Sequence, residues 1–373
     1  MPQHSAVLEK EYRFDNAPML VYWETTRACD LACLHCRAEA DTIRDPFELK
    51  TDEAKRLCDE AAAFGGQHPV HLVLTGGDPL KRADLPEIVD HARRRGLTVS
   101  VTPAAGPNLD AAAIRRLAAF GVGSIALSLD GSTAERHDTL RGVSGTYERT
   151  LEALRAAATV GLPVQVNTLV AGATVDDLPA IYDLLCGFRI ERWALFFLIT
   201  TGRGATLREI SPTRAEEVLS WLCGLAETAQ GPFIVKSTEA HHVRRIAYQR
   251  LHARGADDAA FESSQLGRGL GVRDGNGVVF VSRRGEIFPS GFLPLAAGNL
   301  RTDGLVKTYR ESSLFRALRD GDQLRGKCGR CAFRFMCGGS RARAYAASGD
   351  PLESDPLCLY PTIRFDAAQG IAS

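Results

Sequence analysis

Short apolar runs alternate with amphipathic segments through the first half of the chain. The runs are rich in Val, Leu and Ile, which is typical of strands buried on both faces of a sheet. The segments between them repeat apolar residues at helical spacing, and several begin at Thr, Asp or Ser-Pro and end at Gly. This pattern predicts six strands, at residues 20–24, 70–74, 97–102, 124–129, 164–169 and 193–198.

The alternation of strand and helix predicts parallel βα units, and therefore an α/β fold. In barrels built from such units, the chemistry lies at the C-terminal ends of the strands. Residues that follow the predicted strands are therefore the first candidates for a functional site.

Three cysteines follow the first predicted strand: Cys29, Cys33 and Cys36. Three thiolates are one short of the four ligands of a [4Fe–4S] cluster, so a cluster held here would keep one iron open for a substrate. A partial zinc site or a chance grouping is the alternative from spacing alone. The segment 75–79 follows the second strand, and its two glycines would let the main chain approach a ligand closely, unless it is a plain turn.

The spacing CxxxCxxC, followed after the next strand by Gly76-Gly77-Asp78, resembles the signature of the radical S-adenosylmethionine (SAM) enzymes. The resemblance implies a partial (β/α)6 TIM-like barrel in which the three cysteines hold a SAM-binding [4Fe–4S] cluster. It also implies reductive cleavage of SAM to a 5′-deoxyadenosyl radical. The backbone at Gly76, Gly77 and Asp78 would bind the SAM amino group, with Asp78 in place of the family's Glu.

Four further positions match the family more loosely. Ser128 and Asp130, at the end of the fourth strand, stand where polar residues approach the SAM ribose. Arg141 stands where a guanidinium pairs with the SAM carboxylate, and Asn167 would face the same pocket. A helix cap, a surface ion pair or a polar strand residue is the structural alternative for each.

A second cysteine group stands near the C-terminus: Cys328, Cys331, Cys337 and Cys358. Four thiolates make a closed site, for which a zinc ribbon is the rival by spacing alone. After a radical SAM barrel, this spacing resembles the SPASM domain. The resemblance implies a SPASM/twitch-like α+β extension with one auxiliary [4Fe–4S] cluster. The apolar segment 278–290 is predicted to form its hairpin, turning at 284–285.

The SPASM pattern is incomplete in this chain. Ser290 and Arg341 stand where the family carries further cysteines, and no cysteine lies between Cys223 and Cys328. The ligands of the first auxiliary cluster are therefore missing, and we expect two clusters in total.

The charges balance, with 45 Lys and Arg against 45 Asp and Glu, so nothing indicates a nucleic acid or an anionic membrane as partner. No apolar run is long enough to span a membrane, and the N-terminus shows no signal-peptide pattern. Thiolate ligands need a reducing compartment, so we expect a cytoplasmic protein. Cys58, Cys186 and Cys223 fall in helical segments and are expected to be buried as small apolar residues.

The length of 373 residues allows several domains. We expect an N-terminal segment at 1–17, the core barrel at 18–230, a linker with a helical connection at 231–269, and the SPASM-like domain at 270–373.

The resemblance implies an enzyme that oxidises a C–H bond of a tetrapyrrole or other cofactor precursor, or of a ribosomally made peptide presented by a separate carrier protein. Its electron donor would be a flavodoxin or a ferredoxin. A non-catalytic metal protein, either zinc-binding or an Fe–S electron carrier, is the alternative, and no catalytic acid or base is identified. Six arginines could bind substrate carboxylates, although most are expected on the solvated surface: Arg268, Arg273, Arg283, Arg284, Arg341 and Arg343.

Overall fold

Ten strands form a single sheet in the computed structural model, which describes residues 6–66, 69–228 and 231–361. The strands are β1 Leu20–Glu24, β2 His71–Thr75, β3 Thr98–Val101, β4 Ser124–Ser128, β5 Val164–Val170, β6 Arg192–Phe197, β7 Ile234–Thr238, β8 Val278–Val281, β9 Glu286–Phe288 and β10 Gly298–Asn299. Their order across the sheet is β10-β9-β8-β1-β2-β3-β4-β5-β6-β7. In this order, every pair of neighbours from β8-β1 to β6-β7 is parallel. The pairs β8-β9 and β9-β10 are antiparallel.

Helices connect and cover the strands. The described residues form α1 Ala6–Glu9, α2 Thr51–Ala62, α3 Leu85–Arg94, α4 Ala111–Ala119, α5 Ala134–Arg141, α6 Thr146–Val160, α7 Leu178–Leu185, α8 Pro212–Glu227, α9 Val243–Ala253, α10 Asp258–Ser263, α11 Leu305–Glu311, α12 Ser313–Arg319, α13 Gly326–Gly329 and α14 Arg341–Ser348. Each of the six predicted strands is present, and a helix follows each of them, as the alternation predicts.

The two faces of the sheet have different surroundings. Trp23 and Trp193 are fully buried in the main hydrophobic core. Side chains alternate along a strand, and Tyr22, next to Trp23 on β1, lines a cavity together with Lys236 of β7. Because β1 and β7 stand far apart in the strand order, a shared cavity requires the sheet to curve. The predicted partial barrel is confirmed.

The predicted C-terminal hairpin is present as the antiparallel pair β8 and β9. The tight turn between them includes Gly285, whose φ of +85° favours glycine. Strand β8 also pairs in parallel with β1, so the hairpin continues the barrel sheet.

Strand β7 was not predicted. It lies within residues 231–269, which the sequence analysis assigns to a linker, and α9 and α10 follow it there. Only Ile234 and Val235 give it an apolar signal, because its last three residues are polar and line the cavity. The domain boundaries themselves stay predictions.

Two further expectations concern the remaining cysteines and membrane-spanning helices. Cys58 and Cys223 are buried as predicted, whereas Cys186, just after α7, is exposed. In the described part of the chain, no helix combines the length and apolarity needed to cross a membrane.

Candidate functional site

The three N-terminal cysteines lie on the loop between β1 and α2 and line one cavity of about 260 Å³. The N–H of Cys29 donates to the carbonyl of Asp41 at 2.7 Å, and the N–H of Cys36 donates to the carbonyl of Cys33 at 3.2 Å. Cys29 and Cys33 are buried, and Cys36 is partly exposed. The fold therefore brings together the three residues that the sequence analysis assigns to one cluster.

Each of these sulfur atoms accepts an N–H hydrogen bond: from Leu31 to Cys29 at 3.4 Å, from Ala40 to Cys36 at 3.5 Å, and from Arg141 to Cys33 at 3.7 Å. Donors of this kind stabilise thiolate ligands around a metal centre. Burial raises the pKa of Cys29 to about 11, so metal binding must displace a proton from that thiol. The donor set fits an iron–sulfur cluster with three protein ligands.

The loop after β2 packs directly against the cysteine loop. The N–H of Gly77 donates to the carbonyl of Thr26 at 2.8 Å, and the N–H of Asp78 donates to that of Ala28 at 2.7 Å. Gly76 has a φ of +136°, and a Cβ there would lie 2.5 Å from the carbonyl oxygen of Thr26. A Cβ on Gly77 would lie 2.4 Å from the carbonyl oxygen of Ala28. Both positions therefore need glycine, because the two main chains touch.

The side chain of Asp78 is fully buried and does not line the cysteine cavity. It accepts hydrogen bonds from the N–H of Leu80 at 3.1 Å and from the N–H of Ala104 at 3.3 Å. Burial raises its pKa. The carboxyl group therefore holds the loop in shape, while a contact between its backbone and SAM stays a prediction.

Arg141 and Asp130 form a buried ion pair at the wall of the same cavity. Arg141 is the last residue of α5, and Asp130 Oδ1 also accepts the N–H of Leu169 at 2.7 Å. Burial opposes ionisation of Asp130, but the Arg141 guanidinium and the other neighbouring donors outweigh it and hold the pKa below its ordinary value. Asp130, predicted near the SAM ribose, is engaged with Arg141 and fixes the guanidinium beside Cys33.

Ser128 and Asn167 are paired in register across β4 and β5, and both line the cysteine cavity. The side chain of Gln165 donates to Asn167 Oδ1 at 2.7 Å. The two residues lie on the cavity wall, as the sequence analysis expects, and their contacts to SAM stay predictions.

The four C-terminal cysteines also converge on one site. They line a small cavity of about 30 Å³ together with His242. Burial raises the pKa of Cys331 to about 11, and it also raises the pKa of Cys337. N–H groups donate to the sulfur atoms here too: Phe333 to Cys331 at 3.4 Å, Asp355 to Cys328 at 3.4 Å, and Arg341 to Cys328 at 3.5 Å. The donor set fits a closed four-thiolate centre, of the kind that can bind either an iron–sulfur cluster or zinc.

Arg341 stands where a further cysteine would serve another cluster. Its side chain is fully buried, its N–H donates to Asp274 Oδ2 at 2.9 Å, and its guanidinium donates to Cys328 Sγ. Ser290, the other replaced position, is buried as well. The guanidinium of Arg341 therefore lies against one of the four C-terminal cysteines.

The expectation of a solvated arginine surface is wrong for three residues. Arg273, Arg341 and Arg343 are each at most 2% exposed. Arg343 donates to the carbonyl of Leu198 at 2.9 Å and so ties α14 to the barrel. Arg268, in contrast, is exposed on the wall of the large cavity.

That large cavity, of about 770 Å³, lies inside the curve of the sheet. It shares Arg37, Asn167, Phe196 and Phe292 with the cysteine cavity, so the two spaces are neighbours. Its wall is mainly apolar and carries a few cationic groups, which is typical of a site for an organic ligand with acidic substituents. A molecule bound here would lie beside whatever the cysteine cavity holds.

Three buried residues of this wall were missed by the sequence analysis: Glu239, His241 and Asp274. One ligand atom of each lies within 4.8 Å of the others. Glu239 has a φ of 62°, which is uncommon outside glycine, and burial raises its pKa to about 8. Burial is the main cause that lowers the pKa of His241, and the positive charges of four nearby arginines lower it further. The same positive charges oppose the binding of a divalent cation at this position. Glu239 and His241 stand two positions apart without a recognised motif, and only the fold brings Asp274 to them.

Comparisons with known proteins give a consistent result. The sequence matches the Radical SAM superfamily over residues 23–185. It is 37% identical over 345 residues to the AdoMet-dependent heme synthase of Methanosarcina barkeri, covering 92% of this chain and 97% of that protein. It is 30% identical over 357 residues to the mycofactocin maturase MftC of Mycobacterium ulcerans, covering 92% and 88%. The crystal structure of Streptococcus suis SuiB bound to S-adenosylmethionine has the same fold, with a TM-score of 0.70 at 15% identity over 92% of this chain and 78% of that one.

Proposed function

Because the chain belongs to the radical SAM superfamily, we propose that it is the enzyme that oxidises a C–H bond of an iron tetrapyrrole during haem formation. The observation that carries this proposal is the similarity to a heme synthase over nearly the whole of both chains. The large cavity beside the cysteine loop supports it, because its size and mainly apolar wall suit a porphyrin.

We propose that Cys29, Cys33 and Cys36 hold a [4Fe–4S] cluster. When bound, this cluster supplies the electron that splits SAM into methionine and a 5′-deoxyadenosyl radical. The guanidinium of Arg141, held by Asp130, lies beside Cys33 and can bind the SAM carboxylate.

The chemistry of the substrate favours one outcome. Removal of a hydrogen atom leaves a carbon radical, and loss of one electron then gives a desaturated, cross-linked or decarboxylated product. Cationic groups on the cavity wall favour a substrate that carries carboxylates. On a propionate side chain, the radical carbon can form a C=C bond as carbon dioxide and one electron leave, so we propose oxidative decarboxylation.

The four C-terminal cysteines, we propose, hold one auxiliary [4Fe–4S] cluster in a SPASM-like extension, and this cluster would serve as the sink for that electron. The closed ligand set supports this role, since it leaves no position for substrate. A flavodoxin or ferredoxin would supply the electron for SAM cleavage, in the reducing environment of the cytoplasm.

A peptide substrate, presented by a separate carrier, is the second candidate, and the similarity to MftC favours it. Incubation with SAM, reductant and either iron coproporphyrin III or the mycofactocin precursor peptide separates the two. We expect 5′-deoxyadenosine and a decarboxylated porphyrin in the first reaction, as measured by mass spectrometry. Turnover of the peptide but not of the porphyrin would overturn the tetrapyrrole proposal. A colourless protein that contains only zinc would overturn the proposal that the two cysteine groups hold iron–sulfur clusters.

A further inference from the structure

Lys236 stands in a row of side chains that crosses the inside of the barrel. Ser128 pairs in register with Asn167, Asn167 with Ala194, and Ala194 with Lys236. Residues paired in this way point to the same face of a sheet, and neighbouring strands lie about 4.8 Å apart. The Cα of Lys236 is therefore roughly 10 Å from that of Asn167, which lines both the cysteine cavity and the large cavity.

The ammonium group of Lys236 lacks partners of the kind that Arg37 and Arg244 have on the same wall. Arg37 pairs with Glu24 at 3.3 Å, and Arg244 donates to main-chain carbonyl groups at 2.9 and 3.3 Å. Lys236 has no hydrogen bond and no ion pair within the described residues. Burial, and secondarily Arg192, lower its pKa to about 8, so its surroundings supply no compensating negative charge.

Lys236 is partly exposed to the cavity, and an ammonium group that is largely withdrawn from bulk water without a partner costs free energy, which a bound anion lowers. The position suits a carboxylate at the end of a flexible side chain, because Ala194 leaves room between Lys236 and Asn167. We propose that the Lys236 ammonium binds a carboxylate of the substrate inside the large cavity, an inference that rests on the proposed function. This contact holds the rest of the substrate against the border with the cysteine cavity, where the hydrogen atom is taken.

Anaerobic titrations with iron coproporphyrin III, followed by its absorption spectrum, test this assignment. Lys236→Met removes the charge and keeps a long side chain, Lys236→Arg keeps the charge, and Lys307→Met makes the same change at an exposed lysine of α11. The same titrations with the porphyrin whose carboxylates are converted to amides measure the part of the affinity that needs an anion.

A charged hydrogen bond is worth about 1.5–3 kcal/mol, so we expect Lys236→Met to weaken binding of the acid about tenfold to a hundredfold and binding of the amide much less. Lys236→Arg should recover part of the loss, and Lys307→Met should match the wild type. Equal affinity of Lys236→Met and Lys307→Met for the acid would overturn the inference and leave the proposed function standing. If Lys236→Met lost the same factor of affinity for the acid and for the amide, the inference would also be overturned, because the loss would then come from the changed shape of the side chain and not from its charge. No binding of the acid to the wild type would remove the proposed function and the inference with it.

Discussion

Gly77→Ala should displace the cysteine loop while leaving the rest of the barrel in place. The added Cβ would lie 2.4 Å from the carbonyl oxygen of Ala28 and 2.5 Å from that of Arg27, whereas ordinary contacts begin at 3.4 Å. Both atoms belong to the main chain and cannot turn away, so the two loops must part by about 1 Å, and overpacking of this kind costs about 1–3 kcal/mol. The movement strains the hydrogen bond from the N–H of Gly77 to Thr26, which contributes about 0.5–1.5 kcal/mol.

The displacement should also lower the rate of SAM cleavage. A misplacement of about 1 Å in a reacting group can cost about a hundredfold in rate, so we expect SAM cleavage to fall by roughly that factor. Gly224→Ala is the matched control, because the added methyl group in α8 meets only the end of the Arg250 side chain at 4.0 Å. Iron content, 5′-deoxyadenosine formation and thermal unfolding should be compared under anaerobic conditions. If Gly77→Ala cleaved SAM within a few-fold of Gly224→Ala, the close contact between the loops would not control the site.

Three further predictions concern the cysteine sites and the buried acid. Replacing Cys29, Cys33 and Cys36 together with Ala should abolish 5′-deoxyadenosine formation and lower the iron content from about eight to about four per chain, and surviving SAM cleavage would contradict the assignment. Cys331→Ala should lose the second half of the iron and the porphyrin product but keep some SAM cleavage, and full retention of iron would show that this thiol is no ligand. Because burial raises the pKa of Glu239 from 4.5 to about 8, the folded state holds a proton that the unfolded state releases, and the wild type should lose stability as the pH rises from about 5 to 8. The melting temperature of Glu239→Gln should fall less than that of the wild type over the same pH range. If both proteins showed the same dependence of melting temperature on pH, Glu239 would not be the group that causes the loss.

The cysteine sites could be predicted because their signals are local. Cys29, Cys33 and Cys36 stand within one short segment, and a loop that follows a buried strand leaves little freedom in where they lie. The six barrel strands were equally visible, since their apolar runs are continuous and helices separate them. Local spacing therefore indicates both the candidate ligands and the elements that position them.

The wall of the large cavity could not be predicted in the same way. Glu239 follows β7 and Asp274 precedes β8, so only the folded connection between these strands brings them together. The strand that carries Lys236 shows too few apolar residues to be recognised. Asp130 was predicted from its position at a strand end, but its partner in the fold is Arg141 at the end of α5. Tertiary packing decides which charged side chains form an ion pair, and the local sequence pattern does not predict that packing.

The parallel pair between β1 and β8 also affects how the protein is made. The first strand of the barrel cannot complete both of its edges until residues near position 280 have left the ribosome. Until then, an open edge next to the cysteine loop is available to other chains, and such edges promote aggregation. Pairing across so long a stretch of sequence is also slow to form. A version of the protein that is truncated before β8 should therefore accumulate as insoluble material.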